Sequence, residues 1–417
     1  MPAEAEQAPE AVEAEPPAAV EAEEAPEIVS SHEELANGDT SPQRAADGVR
    51  SFAGELLAPL FAAEGNVVVS PYSVTTAMHL AMLGASGETL TQLQEGLSSS
   101  AETGHADIGA LTAALASDDE GAPTVRVANR IWVERSQEEN LVPTYRERSA
   151  EWYGAGAGFV DFLGAPEDAR ASINAWVSEQ TEAMIPELLA QGSVDASTRA
   201  VLTNAVYFLG SWASGFDEEF TTEGPFFTPD AEPSTVRFMT KQADMRYLSR
   251  EDRQVVGLPY RGFDWALYVV LPAPGELESV GRSLAASGFA SGMPRSTERV
   301  DLHLPRFRAA WTGSLKDPLR ALGMTLPFSR EGADFAEMFA DNGVYVDDVI
   351  HEAVIEVDET GTEAAAATGV VMATRSAPRP RQPVLMRVDR PFYFVLMHEP
   401  TETPLFVGRV NAPEALD

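Results

Sequence analysis

No cysteine occurs anywhere in the 417-residue chain. Disulfide staples, thiolate metal sites and cysteine nucleophiles are therefore excluded, and stability must come from packing. No stretch approaches the roughly 18 consecutive apolar residues that a membrane-spanning helix needs, and the N-terminus lacks the basic region and apolar stretch of an export signal. These absences predict a soluble chain with no membrane partner.

Basic residues are scarce as well. Lys241 and Lys316 are the only lysines, and 65 acidic residues against 29 basic ones give a formal net charge of −36. A phosphate backbone would be repelled by this excess, so we expect no nucleic-acid partner. Acidity of this kind is more often a solubility or salt-adaptation feature than a binding site.

The usual signatures of hydrolases are also missing, since the chain has no Gly-x-Ser-x-Gly elbow and no His-Glu-x-x-His zinc helix. The Gly-Ala-Gly-Ala-Gly run at 154–158 breaks the spacing of a phosphate-binding loop, so a turn is the better interpretation. His79 lies in an apolar helical pattern, which favours a hydrogen-bonded structural role over a catalytic one. We expect no enzymatic activity, no metal and no cofactor.

Two regions differ in composition. Residues 1–45 hold 12 acidic residues and one basic residue with few large apolar groups, which predicts a disordered acidic tail. From 46 to 417, helical and strand-like patterns mix irregularly, which favours one α+β domain. Apolar residues spaced three and four apart predict core helices over RSFAGELLAPLFAA and SVTTAMHLAMLGAS. Short β-branched or aromatic runs predict strands at WALYVVLP, RVDLHLPRF and PFYFVLM.

The segment from Glu356 to Leu396 resembles the reactive-centre loop and the following strands of a serpin. MRVDRPFYFVL fits the family's C-terminal signature. About ten further segments occur in the expected order over residues 46 to 413, among them NVVVSPYSV, VLTNAVYFLGSW and YVDDVIHEAVIEVDE. The resemblance, to a bacterial or archaeal-type member, implies a multi-helix domain with three β-sheets. It also implies an exposed reactive-centre loop at about 359–385 and a main sheet that accepts an extra strand.

The function that the resemblance implies is inhibition of a serine protease by covalent trapping. The family's usual spacing of 16 residues from Glu359 leads to the Arg375-Ser376 bond, and arginine suits a trypsin-like protease whose pocket carries an acid. Because the stretch after Ser376 is longer than in most family loops, Arg381-Gln382 is a second candidate bond. The acylated loop would then insert into the main sheet.

Read locally, Thr360-Gly-Thr-Glu363 and the four alanines after it form a helix start. The resemblance supplies the alternative of a strand whose small residues slide between neighbouring strands. A non-inhibitory serpin, acting as a carrier or chaperone, would typically hold bulky, charged or proline residues there. The hinge implied by the resemblance consists of Glu359, Gly361, Thr362, Glu363, Ala364, Ala365, Ala366, Ala367 and Thr368.

By the same resemblance, Ser70, Ser73, Asn204 and His351 match a buried hydrogen-bonded cluster that controls sheet opening, and Trp212 matches the tryptophan at the loop's entry point. Ordinary satisfaction of buried polar groups is the alternative. The region from about 98 to 125 lacks the basic helix of heparin-activated relatives, so we expect no heparin cofactor. We expect a monomer. Family habit implies an extracellular location, whereas the visible N-terminus suggests the cytoplasm.

Overall fold

The structure, a computed structural model, describes residues 40–414 and 416, except for 63, 117–120, 155, 230, 342 and 363–381. The predicted tail up to residue 39 and the middle of the predicted reactive-centre loop lie outside the described residues. The first helix begins at Pro42, four residues before the predicted domain boundary. The Ser41 side chain caps it by accepting a hydrogen bond from the Arg44 amide, and proline suits a first helical turn.

Both predicted core helices are present, as α1 (Pro42–Leu60) and α2 (Pro71–Leu83). Almost every residue of α2 is buried, which explains its apolar character on all sides. Gly154 ends α5 in the left-handed conformation, so the glycine-rich run begins as a turn and continues into a strand. The α-helices of the described part are α1 (Pro42–Leu60), α2 (Pro71–Leu83), α3 (Gly87–Gly96), α4 (Gly104–Leu115), α5 (Pro143–Tyr153), α6 (Pro166–Gln180), α7 (Leu277–Ala286) and α8 (Lys316–Ala321).

A six-stranded sheet, called the main sheet below, contains two long central strands, β4 (Ala200–Ser211) and β11 (Asp348–Val357), that run parallel to each other. A two-residue strand, β12, lies between their ends. The strands in spatial order are β10 (Phe307–Ser314), β11 (Asp348–Val357), β12 (Gly361–Thr362), β4 (Ala200–Ser211), β2 (Thr124–Glu134) and β3 (Ala157–Val160).

A second, nine-stranded sheet falls into two parts at the 16-residue strand β6 (Ser234–Ser249). This strand pairs with β5 from Ser234 to Phe238, with β9 from Phe238 to Arg246, and with β7 only from Arg246 onward. The two parts and the main sheet make up the three sheets expected of the fold. The strands are β1 (Val67–Val69), β15 (Thr403–Val410), β14 (Phe392–His398), β8 (Trp265–Pro272), β7 (Arg253–Pro259), β6 (Ser234–Ser249), β9 (Thr297–Pro305) and β13 (Val384–Arg387), with β5 (Thr222–Phe226) beside β6.

The three strands predicted from the sequence are β8, β9 and β14. The sequence of β14 is apolar throughout because both faces of this strand are covered. Tyr393, Val395 and Met397 pack into the core that contains α1 and α2, whereas Phe394 and Leu396 pack into the core on the other face. A strand covered on both faces reads as a continuous apolar run rather than an alternation. None of the described helices combines the length and apolar character needed to cross a membrane.

Candidate functional site

The main sheet is closed along one part of its central seam and open at the other. β4 and β11 pair from Val201 opposite Asp348 to Val206 opposite Ala353, and their direct pairing stops there. Beyond this point β12 separates them, since Thr362 pairs with β11 on one side and with β4 on the other. Gly361 and Thr362, two residues of the predicted hinge, therefore already occupy the opening of the sheet.

Close packing fixes both residues of β12. A Cβ on Gly361 would lie 2.0 Å from the carbonyl oxygen of Gly210, so only glycine fits at this approach of two backbones. Thr362 is 1% exposed, and its Oγ1 lies 2.6 Å from the hydroxyl of Tyr260. The local interpretation of a helix start is wrong at these two positions, because pairing with two strands outweighs a weak helix propensity.

Several predicted site residues lie outside the described part of the chain. They include both arginines of the candidate bonds and most of the hinge. Gln382 is exposed and lies two residues before β13. The predicted residues outside the described part are Glu363, Ala364, Ala365, Ala366, Ala367, Thr368, Arg375, Ser376 and Arg381.

Glu359 anchors the start of the hinge. Its carboxylate is buried, accepts a hydrogen bond of 2.5 Å from the Thr221 hydroxyl and lies 3.3 Å from Nε of Arg306. Its backbone carbonyl accepts a hydrogen bond of 2.8 Å from the Phe216 amide. A buried carboxylate needs such partners, so these contacts fix the point at which β11 ends and the hinge begins.

A tight turn joins β11 to β12. One carboxylate oxygen of Asp358 accepts hydrogen bonds from the amides of Thr360 (2.7 Å) and Gly361 (3.0 Å). Sequence reasoning did not identify Asp358, although an aspartate three residues before a glycine, as in Asp-Glu-Thr-Gly at 358–361, is a turn signal. It also missed Thr221 and Arg306, for which no local signal exists.

Trp212 lies at the hinge and apart from the polar cluster. Its indole nitrogen donates to the carbonyl of Asp358 (2.9 Å), and its backbone amide donates to the carbonyl of Thr360 (2.9 Å). Its ring stacks on Tyr260 with a centroid separation of 4.5 Å. Trp212 and Tyr260 thus form an aromatic wall at the opening of the main sheet.

The four polar residues predicted to cluster are in mutual contact. Asn204 on β4 lies directly opposite His351 on β11, and the His351 Nδ1 donates to the Asn204 side-chain oxygen. The other ring nitrogen accepts from the Ser70 amide (3.1 Å), and the Asn204 amide group donates to the Ser73 hydroxyl (2.5 Å). All four residues are fully buried. The cluster joins the N-terminus of α2 to both central strands.

Asn129 on β2 is a fifth member that sequence reasoning missed. Its side-chain oxygen accepts from the Asn204 amide group, and its own amide group donates to the carbonyl of Ser73 (3.5 Å). An asparagine within the strand pattern VANRIWV was the available signal, because asparagine is depleted in strands. Together with the other four residues it forms what we call the seam network.

Burial keeps the central histidine of the seam network neutral. It lowers the pKa of His351 to about 3, although the hydrogen bond with Asn204 acts in the opposite direction. His79 is also buried, with its ring nitrogens 2.8 Å from the Thr75 carbonyl and 2.9 Å from the Ser99 hydroxyl. This is the hydrogen-bonded structural histidine that its helical pattern predicts.

Comparison with known proteins identifies the family. The model of the family Serpin (serine protease inhibitor) matches residues 47–413. Leukocyte elastase inhibitor of Bos taurus is 36% identical over 360 residues, which cover 84% of this chain and 93% of the relative. Leukocyte elastase inhibitor A of Mus musculus is 37% identical with the same coverage.

Solved structures agree with this family. The crystal structure of Serpin48, described as a highly specific serpin in the insect Tenebrio molitor, superimposes with a TM-score of 0.80 at 27% identity, covering 90% of this chain and 100% of that one. Arabidopsis AtSerpin1 in its native stressed conformation gives a TM-score of 0.79 at 27% identity, again covering 90% and 100%. These similarities confirm the predicted fold.

The relatives bear on the type of serpin and on the expected lack of enzymatic activity. The named relatives are vertebrate proteins, so they give no support to a bacterial or archaeal type, which stays a prediction. The prediction that the chain is simply not an enzyme is corrected. The family description and the relatives' names support a role defined by enzymes, namely the inhibition of serine proteases. With a family model matching nearly the whole chain and relatives more than 30% identical, the chain belongs to the serpin family of serine protease inhibitors.

Proposed function

We propose that this serpin is a suicide-substrate inhibitor of a trypsin-like, arginine-specific serine protease, with Arg375-Ser376 as its reactive bond. One observation carries the proposal: β12 lies between β4 and β11, so the hinge has begun to form the strand that insertion would complete. The small residues that follow it in sequence, four alanines and a threonine, suit a segment that must slide between two strands.

The proposed reaction begins when the protease serine attacks the Arg375 carbonyl carbon. The bond to the Ser376 nitrogen breaks, an acyl-enzyme ester forms, and the new amine leaves on the C-terminal fragment. The N-terminal part of the loop, still attached at Thr362, then extends β12 between the central strands. The protease is trapped if this insertion is faster than hydrolysis of the ester by water.

The topology of the main sheet favours completion of β12. β12 is antiparallel to both of its neighbours, whereas β4 and β11 pair in parallel. Insertion therefore replaces one parallel ladder by two antiparallel ladders, which are slightly more stable per residue. About 14 residues at roughly 3.4 Å each would carry the ester some 45–50 Å from the point of attack.

The seam network is the proposed barrier to premature insertion. Asn204 and His351 face each other across the ladder that must open, and both are tied to α2 through Ser70 and Ser73. A fully satisfied buried network is costly to disrupt partway, because each separated group loses its partner. Trp212 and Tyr260 would guide the loop at the entrance.

An elastase-like protease is the second candidate target. The matched vertebrate relatives are named for inhibition of leukocyte elastase. Val370, Val371, Met372 and Ala373 lie just before Arg375 and are all apolar, and the valines and the alanine have the small side chains that an elastase pocket accepts. An extracellular location would suit either target, and a cytoplasmic location remains the alternative.

A gel and a mass spectrum distinguish these targets. We expect the protein to form an SDS-stable complex with trypsin, and the released C-terminal fragment to begin at Ser376. Arg375→Val should abolish the trypsin complex, whereas the matched variant Arg381→Ala should leave it intact. A fragment beginning at Gln382 would identify the second bond, and a cut between residues 370 and 374 with leukocyte elastase would favour the elastase target. Cleavage by both proteases without any complex would contradict trapping and favour a carrier or chaperone.

A further inference from the structure

Lys241 holds an unusual set of partners beside the hinge. It lies on β6 inside the long ladder with β9, which gives it a rigid base. Its ammonium group donates to the carbonyl of Ser214, to the hydroxyl of Ser214 (2.8 Å) and to the carbonyl of Gly215 (2.8 Å). A lysine ammonium has three donors, so these bonds use all of them. The nitrogen also lies 5.5 Å from the centre of the Phe216 ring.

The segment that receives these bonds, residues 213–216, rests directly on the start of the hinge. The Phe216 amide donates to the carbonyl of Glu359 (2.8 Å). A Cβ on Gly215 would lie 2.9 Å from the same carbonyl oxygen, which shows how closely the two backbones approach. Movement of this segment would therefore loosen Glu359 and, three residues later, Thr362.

No regular structure holds residues 213–216 in place. They follow β4 as an irregular stretch, and the Ala213 amide donates to the carbonyl of Pro259. Within the described residues, no carboxylate lies within ion-pair distance of the Lys241 ammonium group. Its charge is therefore directed at the two carbonyls and the hydroxyl of this one segment, and such charge-assisted bonds are stronger than neutral ones.

We infer that Lys241 is a positioning residue for loop insertion, which braces residues 213–216 against Glu359 and so keeps β12 seated in the opening of the main sheet. The inference rests on the proposed inhibitory function. Insertion has to compete with ester hydrolysis, so it benefits from a hinge that is already aligned between β4 and β11. Without the brace, insertion starts from a less ordered hinge and more of the acyl-enzyme is hydrolysed.

The test separates this role from a general effect on folding. Lys241→Met keeps the length of the side chain and removes its donors, whereas Lys241→Arg keeps both charge and donors. Lys316→Met is the matched control, because the only other lysine donates to the carbonyl of Asp347 (2.6 Å), just before the opposite end of β11 from the hinge. For each protein we would measure the ratio of SDS-stable complex to cleaved inhibitor with trypsin, and the rate constant for loop cleavage.

We expect Lys241→Met to slow insertion relative to hydrolysis by about tenfold, which corresponds to ~1.4 kcal/mol. The rate constant for cleavage should not change, and Lys241→Arg should restore most of the complex. An unchanged ratio in Lys241→Met, or an equal change in Lys316→Met, would overturn the inference.

A second measurement needs no inhibition. Hydrogen exchange of the Trp212 and Phe216 amides, which donate to the hinge carbonyls, should be faster in Lys241→Met than in the wild type and in Lys241→Arg. If the wild type forms no complex with any protease, the proposed function fails. Hydrogen exchange at these two amides then remains as the test of whether Lys241 braces the segment. Unchanged exchange would then overturn its role as a brace.

Discussion

Thr362 has a buried side chain at the opening of the main sheet, and its hydroxyl meets that of Tyr260. An arginine at this position would have to bring a long charged group into a site that offers a hydroxyl and aromatic rings, which is costly without a paired charge. We expect Thr362→Arg to lower the yield of SDS-stable complex with trypsin at least tenfold while loop cleavage continues. Thr362→Ser keeps the hydroxyl and should still inhibit. Unchanged inhibition by Thr362→Arg would remove insertion from the mechanism.

His351 gives the molecule a pH dependence whose sign follows from its pKa. The folded protein keeps the ring neutral down to a pH of about 3, whereas the unfolded chain binds a proton below about 6.5. Since the unfolded state binds more protons between these values, stability is lost as the pH falls through this window. His79 and His398, whose pKa values are about 4, act in the same direction.

We therefore expect the free energy of unfolding of the intact protein to decrease between pH 7 and pH 4.5, with His351 contributing about 2–3 kcal/mol to the decrease. His351→Gln should lower stability at pH 7 and flatten the dependence on pH by that amount. Urea denaturation curves at both pH values measure the free energy of unfolding of each protein. Parallel pH profiles for the two proteins would contradict the assignment of a neutral, buried ring.

At the scale of elements, strands and helices with strong local patterns could be predicted from the sequence, but their long-range pairing could not. α2, β8 and β14 carry continuous or periodic apolar residues that report their burial directly. Nothing in β4 or β11 indicates that the two strands pair over half their length and then part, because that depends on contacts some 150 residues apart in sequence. The residues 360–363, which read locally as the start of a helix, were misleading for the same reason, because the pairing of β12 with β4 and β11 is also long-range.

The seam network shows the same limit for the site. Resemblance alone singled out its four predicted members, since a serine or an asparagine in an apolar segment does not reveal its partner. Asn129 completes the network from a third strand, and only the register of β2 with β4 places it opposite Asn204. Its role could be recognised once the strands were paired.

Asn204 connects the two central strands through its hydrogen bonds, so replacing its side chain tests the seam network as a whole. Asn204→Ala would leave His351 Nδ1 without its acceptor and deprive the Ser73 hydroxyl and Asn129 of a donor. Each unsatisfied buried group costs about 1–3 kcal/mol, so we expect the intact protein to lose roughly 2–4 kcal/mol of stability. Inhibitory activity should also decay faster on storage. Asn140→Ala, whose bonds lie at the surface, is the control and should change stability by less than about 0.5 kcal/mol.

At the scale of the whole molecule, the proposal requires one chain to have two states of very different stability. In the intact state β12 comprises two residues, and the ladder of β4 with β11 is closed over six residue pairs. If insertion adds about 14 residues and each new ladder hydrogen bond contributes roughly 0.5–1.5 kcal/mol, the gain is on the order of 10 kcal/mol. That is comparable with the entire stability of a typical domain. The intact state would then be metastable and held by the seam network.

Cleavage of the loop without trapping gives access to the second state. We expect the wild-type protein cut in its loop to unfold at a much higher temperature than the intact protein, because the inserted strand completes the main sheet. Cut Thr362→Arg supplies the control, since it has lost the same peptide bond but its hinge cannot enter the sheet, and it should gain little. Thermal unfolding followed by circular dichroism measures both. If the cut wild type unfolds at the temperature of the intact protein, no energy is stored in the intact fold, and loop insertion cannot be what holds a captured protease.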